Sequence, residues 1–230
     1  MNRKWIGDNL FASQLNVKFG NYSLELDVPE GIWNPTPHGI HLGNMLTTMD
    51  FKAKHVLELG TGCGLHAVVI AGQGAKRLTL TEYDSDILDN ARHNLEKHNV
   101  TTPVDYIDAD WTQVHGTYDA LVTNPPFAKS GKRYRRYFID KLILDAHNLV
   151  RTRGWLIFVQ SSMADIPRSI RLMEEHGMRV EIVGETDHLF RDYYFEDPTF
   201  MREMAAIQDA YSIRDGKHYE RLIVFRAVLP

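Results

Sequence analysis

The sequence predicts an α/β protein: a mostly parallel, doubly wound sheet with helices on both faces. Three observations carry that prediction. From Lys54 onward, short apolar runs alternate with stretches of helical periodicity. Those stretches are long enough to act as crossovers between parallel strands. The first apolar run ends in a glycine-rich loop, Gly60-Thr61-Gly62-Cys63-Gly64, that leads into a helix.

In chain order, residues 17–28 (VKFGNYSLELDV) predict two short strands around Gly20-Asn21, because Tyr22, Leu24, Leu26 and Val28 alternate with Ser23, Glu25 and Asp27. Pro35 and Pro37 make the next stretch irregular, and a short helix near His38 carries Ile40, Leu42 and Met45. Strand 55–59, helix 65–72, strand 77–83 and helix 85–98 follow; Ile87, Leu88, Ala91 and Leu95 share one face of the last. Then come strands 104–108 and 118–123, helix 138–150, strand 155–160, helix 166–176 and strand 180–183. Residues 187–200 (DHLFRDYYFEDPTF) are aromatic without clean periodicity and predict a flap. Residues 219–228 predict a long last strand, antiparallel to its partner if it closes the sheet edge. Residues 1–50 are too few for a core of their own and read as a cap attached to residues 51–230.

Composition narrows the function. With 230 residues and 43% hydrophobic content, the chain supports one substantial core. A formal net charge of −4 argues against a global positive field for nucleic acid but leaves room for a local basic patch. Cys63 is the only cysteine, which excludes an internal disulfide and a multi-cysteine metal cluster and fits a reducing cytoplasm. The first ten residues lack the apolar core of a secretion signal. No run approaches the roughly 18 apolar residues of a membrane span, so no membrane partner is expected. His38 and His41 without a third ligand make a poor zinc site, and no metal is expected.

Glycines at positions 60, 62 and 64 permit a tight turn and close approach of a ligand to the backbone. The spacing is not that of a dinucleotide fingerprint, and the Gly-Lys-Ser/Thr ending of a P-loop is missing. Glu82 ends the second sheet strand, where a carboxylate can accept from both hydroxyls of a ribose; its competing role is a solvent-facing turn residue. Asp110, close to Asp108, can accept from an adenine amino group or cap the short turn that follows. The fourth strand ends in Asn124-Pro125-Pro126-Phe127. The Asn side-chain carbonyl and a neighbouring backbone carbonyl can accept both hydrogens of a planar NH2 group. The prolines stiffen that platform, and Phe127 can stack on the group held there.

In combination and order, these motifs resemble the class I S-adenosylmethionine-dependent methyltransferases, and within them the small-domain N-methyltransferases with an Asn/Asp-Pro-Pro-aromatic motif. The resemblance covers roughly residues 30–185. Glu58, Gly60, Gly62 and Gly64 match the cofactor loop, Glu82 the ribose carboxylate, Asp110 the adenine-side acid, and Asn124, Pro125, Pro126 and Phe127 the target-amine motif, with Asn124 also beside the cofactor. It implies a Rossmann-like, seven-stranded sheet in the order 3-2-1-4-5-7-6 and S-adenosyl-L-methionine as cofactor. It also implies methyl transfer to a planar amino or amide nitrogen: a protein glutamine, a small amine or, alternatively, an RNA base at adenine N6 or guanine N2. Asn124 would hold the nitrogen, Pro125 would lend its carbonyl, and Phe127 would pack on the acceptor. Trp33 and Pro37 fall where relatives place a segment covering the cofactor, although His38-Gly39-Ile40-His41 departs from the family pattern.

Two further segments are candidates for acceptor contact. Residues 129–137 carry Lys129, Lys132, Arg133, Arg135 and Arg136 with Tyr134 and Tyr137, a composition suited to RNA phosphates and bases, to a small anion, or to a solvated loop. In the predicted flap, Tyr193, with Tyr194 and Phe195, can line an acceptor pocket or pack on the sheet end.

Overall fold

The computed structural model describes residues 14–20, 22–126 and 136–230. They fall into two compact units, one ending at Val114 and the next beginning at His115.

The first unit opens with a hairpin, β1 (Gln14–Phe19) antiparallel to β2 (Tyr22–Asp27), with Phe19 opposite Tyr22. The predicted alternation holds: Leu24, Leu26 and Val28 are buried while Ser23 and Glu25 face out. Helix α1 (Pro37–Leu46) follows, its first turn capped by the Thr36 hydroxyl, which accepts from the Gly39 N–H at 3.3 Å. The helix carries Ile40, Leu42 and Met45 as expected; its buried side is Gly39, His41, Leu42, Gly43 and Leu46, while Ile40 and Met45 are only partly covered. The reason is the hairpin, which presses on this helix where Gly43 leaves space. A Cβ at Gly43 would lie 2.6 Å from the Phe19 ring, and one at Gly72 would lie 2.7 Å from the Tyr22 hydroxyl. Burying Phe19, Leu24 and Leu26 stabilises this attachment by roughly 1.5–3 kcal/mol each.

Strand β3 (His55–Leu59), helix α2 (Leu65–Gly72), strand β4 (Arg77–Glu82), helix α3 (Ser85–Lys97) and strand β5 (Val104–Asp108) complete the unit. The strands pair in parallel in the order β5-β4-β3, the expected 3-2-1. Helix α3 buries the predicted stripe of Ile87, Leu88, Ala91 and Leu95, and with it Asn90 and Asn94.

The second unit contains β6 (Tyr118–Thr123), α4 (Tyr137–Leu149), β7 (Val150–Ser161), α5 (Ile166–Glu175), β8 (Arg179–Leu189), α6 (Pro198–Ala205), β9 (Ser212–Arg214) and β10 (Lys217–Val228). Its strands run in the order β6-β7-β10-β8, the expected 4-5-7-6. Strand β6 is parallel to β7, and β10 is antiparallel to both neighbours. The last strand therefore lies inside the sheet, and β8 forms the edge. The sequence expectation lacked β9, which pairs with β10 as an extra three-residue strand. Strand β8 is also longer than predicted, because it pairs with β10 as far as Leu189 opposite Tyr219. That extension takes up the start of the predicted flap; the rest forms a short turn at Asp192–Tyr194 and helix α6. The architecture is Rossmann-like, a mostly parallel sheet with helices.

Candidate active site

In the first unit, the glycine loop at the carboxyl end of β3 is held from three sides. Glu58, 1% exposed, accepts from the Thr61 hydroxyl at 2.8 Å and from His66 Nδ1 at 3.0 Å. The other ring nitrogen of His66 lies 2.8 Å from the Gly39 carbonyl of α1. Both ring nitrogens are thus placed against oxygen atoms, and the ring bridges Glu58 of β3 to the backbone of α1. Glu82 forms the second tie: its carboxylate accepts from the Gly62 N–H and from the Tyr83 N–H, each at 3.1 Å. Burial pushes the Glu82 carboxyl above the ordinary glutamate range, and the two backbone N–H groups oppose that shift. The third tie is Asn94, whose amide donates to the Cys63 carbonyl at 2.9 Å.

The three glycines have different duties. Gly60 (φ 68°) and Gly62 (φ 55°) adopt the left-handed conformation, and a Cβ on either would meet nothing within 4 Å. Gly64 (φ 81°) is a packing glycine, since a Cβ there would lie 2.8 Å from Leu95 and 3.1 Å from the Ala91 carbonyl of α3. A ligand can therefore reach the backbone at 60 and 62, while 64 brings the loop against α3. Glu82, with one backbone donor on each oxygen, keeps accepting capacity for hydroxyls brought to the loop. This donor set and the open space fit a nucleoside with a vicinal diol. Burial pushes the Cys63 thiol up to about 12, which removes it as a nucleophile. At the end of β5, Asp108 and Asp110 are both exposed, and the Asp110 carbonyl accepts from the Gln113 N–H at 2.8 Å. Trp33 is 61% exposed, and Pro37 occupies the first turn of α1.

In the second unit, Asn124 and Pro125 are half-buried and Pro126 is exposed, directly after the buried end of β6 at Thr123. Among the described residues, no hydrogen bond engages the Asn124 amide. Phe127, Arg133 and Tyr134 lie outside the described residues. Arg136, the last cation of the basic run, is not available to a phosphate. It donates to Asp140 at 2.8 Å, to the Ser169 hydroxyl at 2.9 Å and to the Asp165 carbonyl at 3.0 Å. Burial draws its guanidinium below the usual arginine range. Tyr193 is partly buried: its hydroxyl accepts from Arg191 at 3.0 Å, and its ring meets Tyr194 edge-on at 4.8 Å. It packs on a cluster built from Met163, Phe190, Tyr194, Phe200 and Met204. Phe195 stands 47% exposed beside it.

Sequence reasoning missed Asn94 and His66, which fix the loop without belonging to its glycine pattern. The signal was present in the helix periodicity, where Asn90 and Asn94 interrupt an otherwise apolar stripe. Among the described residues, no group of three His, Cys, Asp or Glu side chains converges as a metal site.

A Rossmann-like sheet with a glycine loop after its first parallel strand is the frame of a class of group-transfer enzymes, the class I methyltransferases. The chain belongs to the methyltransferase small domain family, whose model matches residues 41–190. It is 26% identical over 175 residues to a provisional protein N5-glutamine methyltransferase of Methanocaldococcus jannaschii, covering 69% of this chain and 87% of that one. Over 92 residues it is 32% identical to a tRNA1(Val) (adenine(37)-N6)-methyltransferase of Glaesserella parasuis, covering 39% of this chain and 38% of that one. The crystal structure of the M. jannaschii tRNA m1G37 methyltransferase superposes with a TM-score of 0.61 at 14% identity. That match covers 98% of this chain and 59% of the other, and shows a shared fold.

Proposed function

We propose that this enzyme transfers a methyl group from S-adenosylmethionine to a planar amino or amide nitrogen of a protein or small-molecule acceptor. The observation that carries the reading is the Asn124-Pro125-Pro126 step after β6, with an amide that no described group engages. The Asn124 side-chain oxygen and the Pro125 carbonyl accept the two hydrogens of the NH2 group, and Pro126 keeps the backbone stiff. Phe127 packs on the plane of that group; Trp33, Pro37, Arg133, Tyr134 and Tyr193 are the proposed further acceptor contacts. Glu58, Gly60, Gly62, Gly64, Glu82, Asp110 and Asn124 serve the cofactor side, with Glu82 taking the ribose hydroxyls.

S-adenosylmethionine supplies a methyl carbon made electrophilic by a sulfonium. The chain contributes placement. Holding both N–H bonds leaves the nitrogen lone pair as the free direction of attack and spreads positive charge onto two carbonyls as the new carbon–nitrogen bond forms. The carbon–sulfur pair leaves with the sulfur, and the nitrogen then releases one proton to water. Residues 1–50 act as the cap on a catalytic region spanning 51–230, and a cytoplasmic setting suits the lone buried cysteine. Among the described residues, no helix is long and apolar enough to cross a membrane.

A second reading, methylation of an RNA base, draws support from the tRNA relative and from the basic residues 129–135. Labelled methyl donor incubated with fractionated cell extract, split between protease and ribonuclease, separates the two. Label lost with protease or retained in a small molecule supports the first reading; label lost only with ribonuclease supports the second. No transfer to any fraction overturns both.

A further inference from the structure

Asn94 is the one polar side chain that grips the N-terminal hairpin and the glycine loop together among the described residues. It is fully buried on α3. Its Oδ1 accepts from the Asp27 N–H at 2.8 Å, and its Nδ2 donates to the Asp27 carbonyl and to the Cys63 carbonyl, each at 2.9 Å. A carboxamide has one carbonyl and two N–H bonds, so the principal valences of this side chain are all used. Toward Asp27 it behaves as a strand partner would, exchanging both main-chain hydrogen bonds at the end of β2.

The surroundings turn this grip into a coupling. Asn90 donates a further bond to the Asp27 carbonyl at 2.9 Å. The Asp27 carboxylate meets His93 at 2.7 Å and Lys97 at 2.8 Å, so the end of β2 is fastened along about two turns of α3. On the loop side, Gly64 already lies against Ala91 and Leu95, which leaves Cys63 no room to retreat toward α3. One residue before Cys63, the Gly62 N–H is bound to Glu82. The loop is thus stretched between Asn94 behind it and the ribose carboxylate in front. Moving the hairpin moves Asn94's partners, and an Asn94 that turns to follow Asp27 releases Cys63.

We infer that Asn94 is a positioning residue for the methyl donor: it makes the geometry of the glycine loop, and hence donor affinity, depend on the docked hairpin. This rests on the reading of the loop as the S-adenosylmethionine site. The proton inventory of the transfer is untouched, because Asn94 acts through Cys63 and contacts no reacting atom.

The test is calorimetric titration of S-adenosylmethionine into the full chain, well below its melting temperature. Asn94→Ala should raise the donor Kd about tenfold, the loss that one buried hydrogen bond can transmit, with kcat at saturating donor within about twofold of the parent. The double variant His93→Ala/Lys97→Ala, which loosens β2 from α3 without touching the loop, should raise Kd about threefold. Ile143→Ala, a core truncation in the other unit, serves as the control matched for lost melting temperature and should leave Kd unchanged. Should Asn94→Ala fail to fold, the double variant decides. Unchanged donor Kd in the folded hairpin variants overturns the coupling, as does an equal rise in Ile143→Ala. Glu82→Ala separates this failure from that of the underlying reading: if it too leaves Kd unchanged, the glycine loop is not the donor site.

Discussion

The two chemical ends of this protein are stiffened in opposite ways. The glycine loop has almost no intrinsic rigidity. Three left-handed glycines leave it free, and buried polar side chains from β3, β4, α2 and α3 restrain it. The Asn124-Pro125-Pro126 step is stiff through its own covalent structure and, among the described residues, leaves the Asn124 amide unengaged. The contrast teaches how a shared fold serves variable chemistry. A donor site that never changes its ligand gains from a dense network that sets backbone N–H and C=O directions. An acceptor platform needs one rigid pair of carbonyls and open space around it, so that flanking segments can differ between relatives.

The comparison breaks most sharply at Asn124. Asn124→Ala removes half of the proposed NH2 grip, while the other six proposed cofactor-side residues still hold the donor. Turnover should fall by roughly 10²-fold or more while donor Kd stays within about twofold. Parallel losses in both would show that the two ends are not functionally separable. Undiminished turnover would remove the clamp from the mechanism.

Glu82 tests the other end with a smaller effect. Glu82→Gln keeps the shape of the side chain but presents an NH2 where one oxygen accepts a backbone N–H, and donor Kd should rise about 10–30-fold, with kcat nearly constant. The same carboxylate predicts a pH dependence. Only its ionised form could accept the proposed ribose hydroxyls on both oxygens, and burial raises its pKa above the ordinary value of 4.5. Donor affinity should hold at neutral pH and weaken as pH falls through that raised value, at a higher pH than for an exposed glutamate. Titration calorimetry across pH 4.5 to 7 on the parent and on Glu82→Gln checks this, because the variant should lose the pH dependence along with the affinity.

Much of this was legible in the sequence because local patterns and tertiary needs agree. The boundaries of β3, α2, β5 and β6 follow directly from apolar runs ended by glycine, aspartate or proline. Where tertiary pairing decides, the sequence underspecifies. Strand β8 continues through Glu185, Thr186, Asp187 and His188, a polar stretch whose Glu and Asp are disfavoured in strands, because β10 offers it a partner as far as Leu189. The buried face of α1 is likewise set by the hairpin that lands on Gly43. At the site, the glycines, Glu82 and the Asn-Pro-Pro step were visible as motifs. Asn94 and His66 were not, since a buried Asn or His reads as a helix residue until its partners, 67 and 27 positions away, are known.

Two stability experiments sharpen the picture of the hairpin as part of the donor end. Gly43→Ala places a methyl 2.6 Å from the Phe19 ring, closer than carbon atoms tolerate, so the buried ring or the hairpin that carries it must shift. Overpacking of this kind costs about 1–3 kcal/mol, and thermal melting should report it. Asp27→Asn gives the smallest change. Lys97 and His93 hold the Asp27 carboxyl below the usual aspartate range of 3.8, so the folded protein binds this proton less readily than the unfolded chain. Its contribution is therefore fully present above 3.8 and lost as pH falls through the lower folded value. The pairs sit at a partly exposed edge, where screening leaves such contacts well under the worth of a buried bond. The substitution should lower the melting temperature at neutral pH by only a few degrees and close the gap to the parent below the folded pKa. No gap at any pH would mean that the hairpin is fastened by the Asn94 and Asn90 bonds to the Asp27 backbone, with the carboxylate contributing nothing.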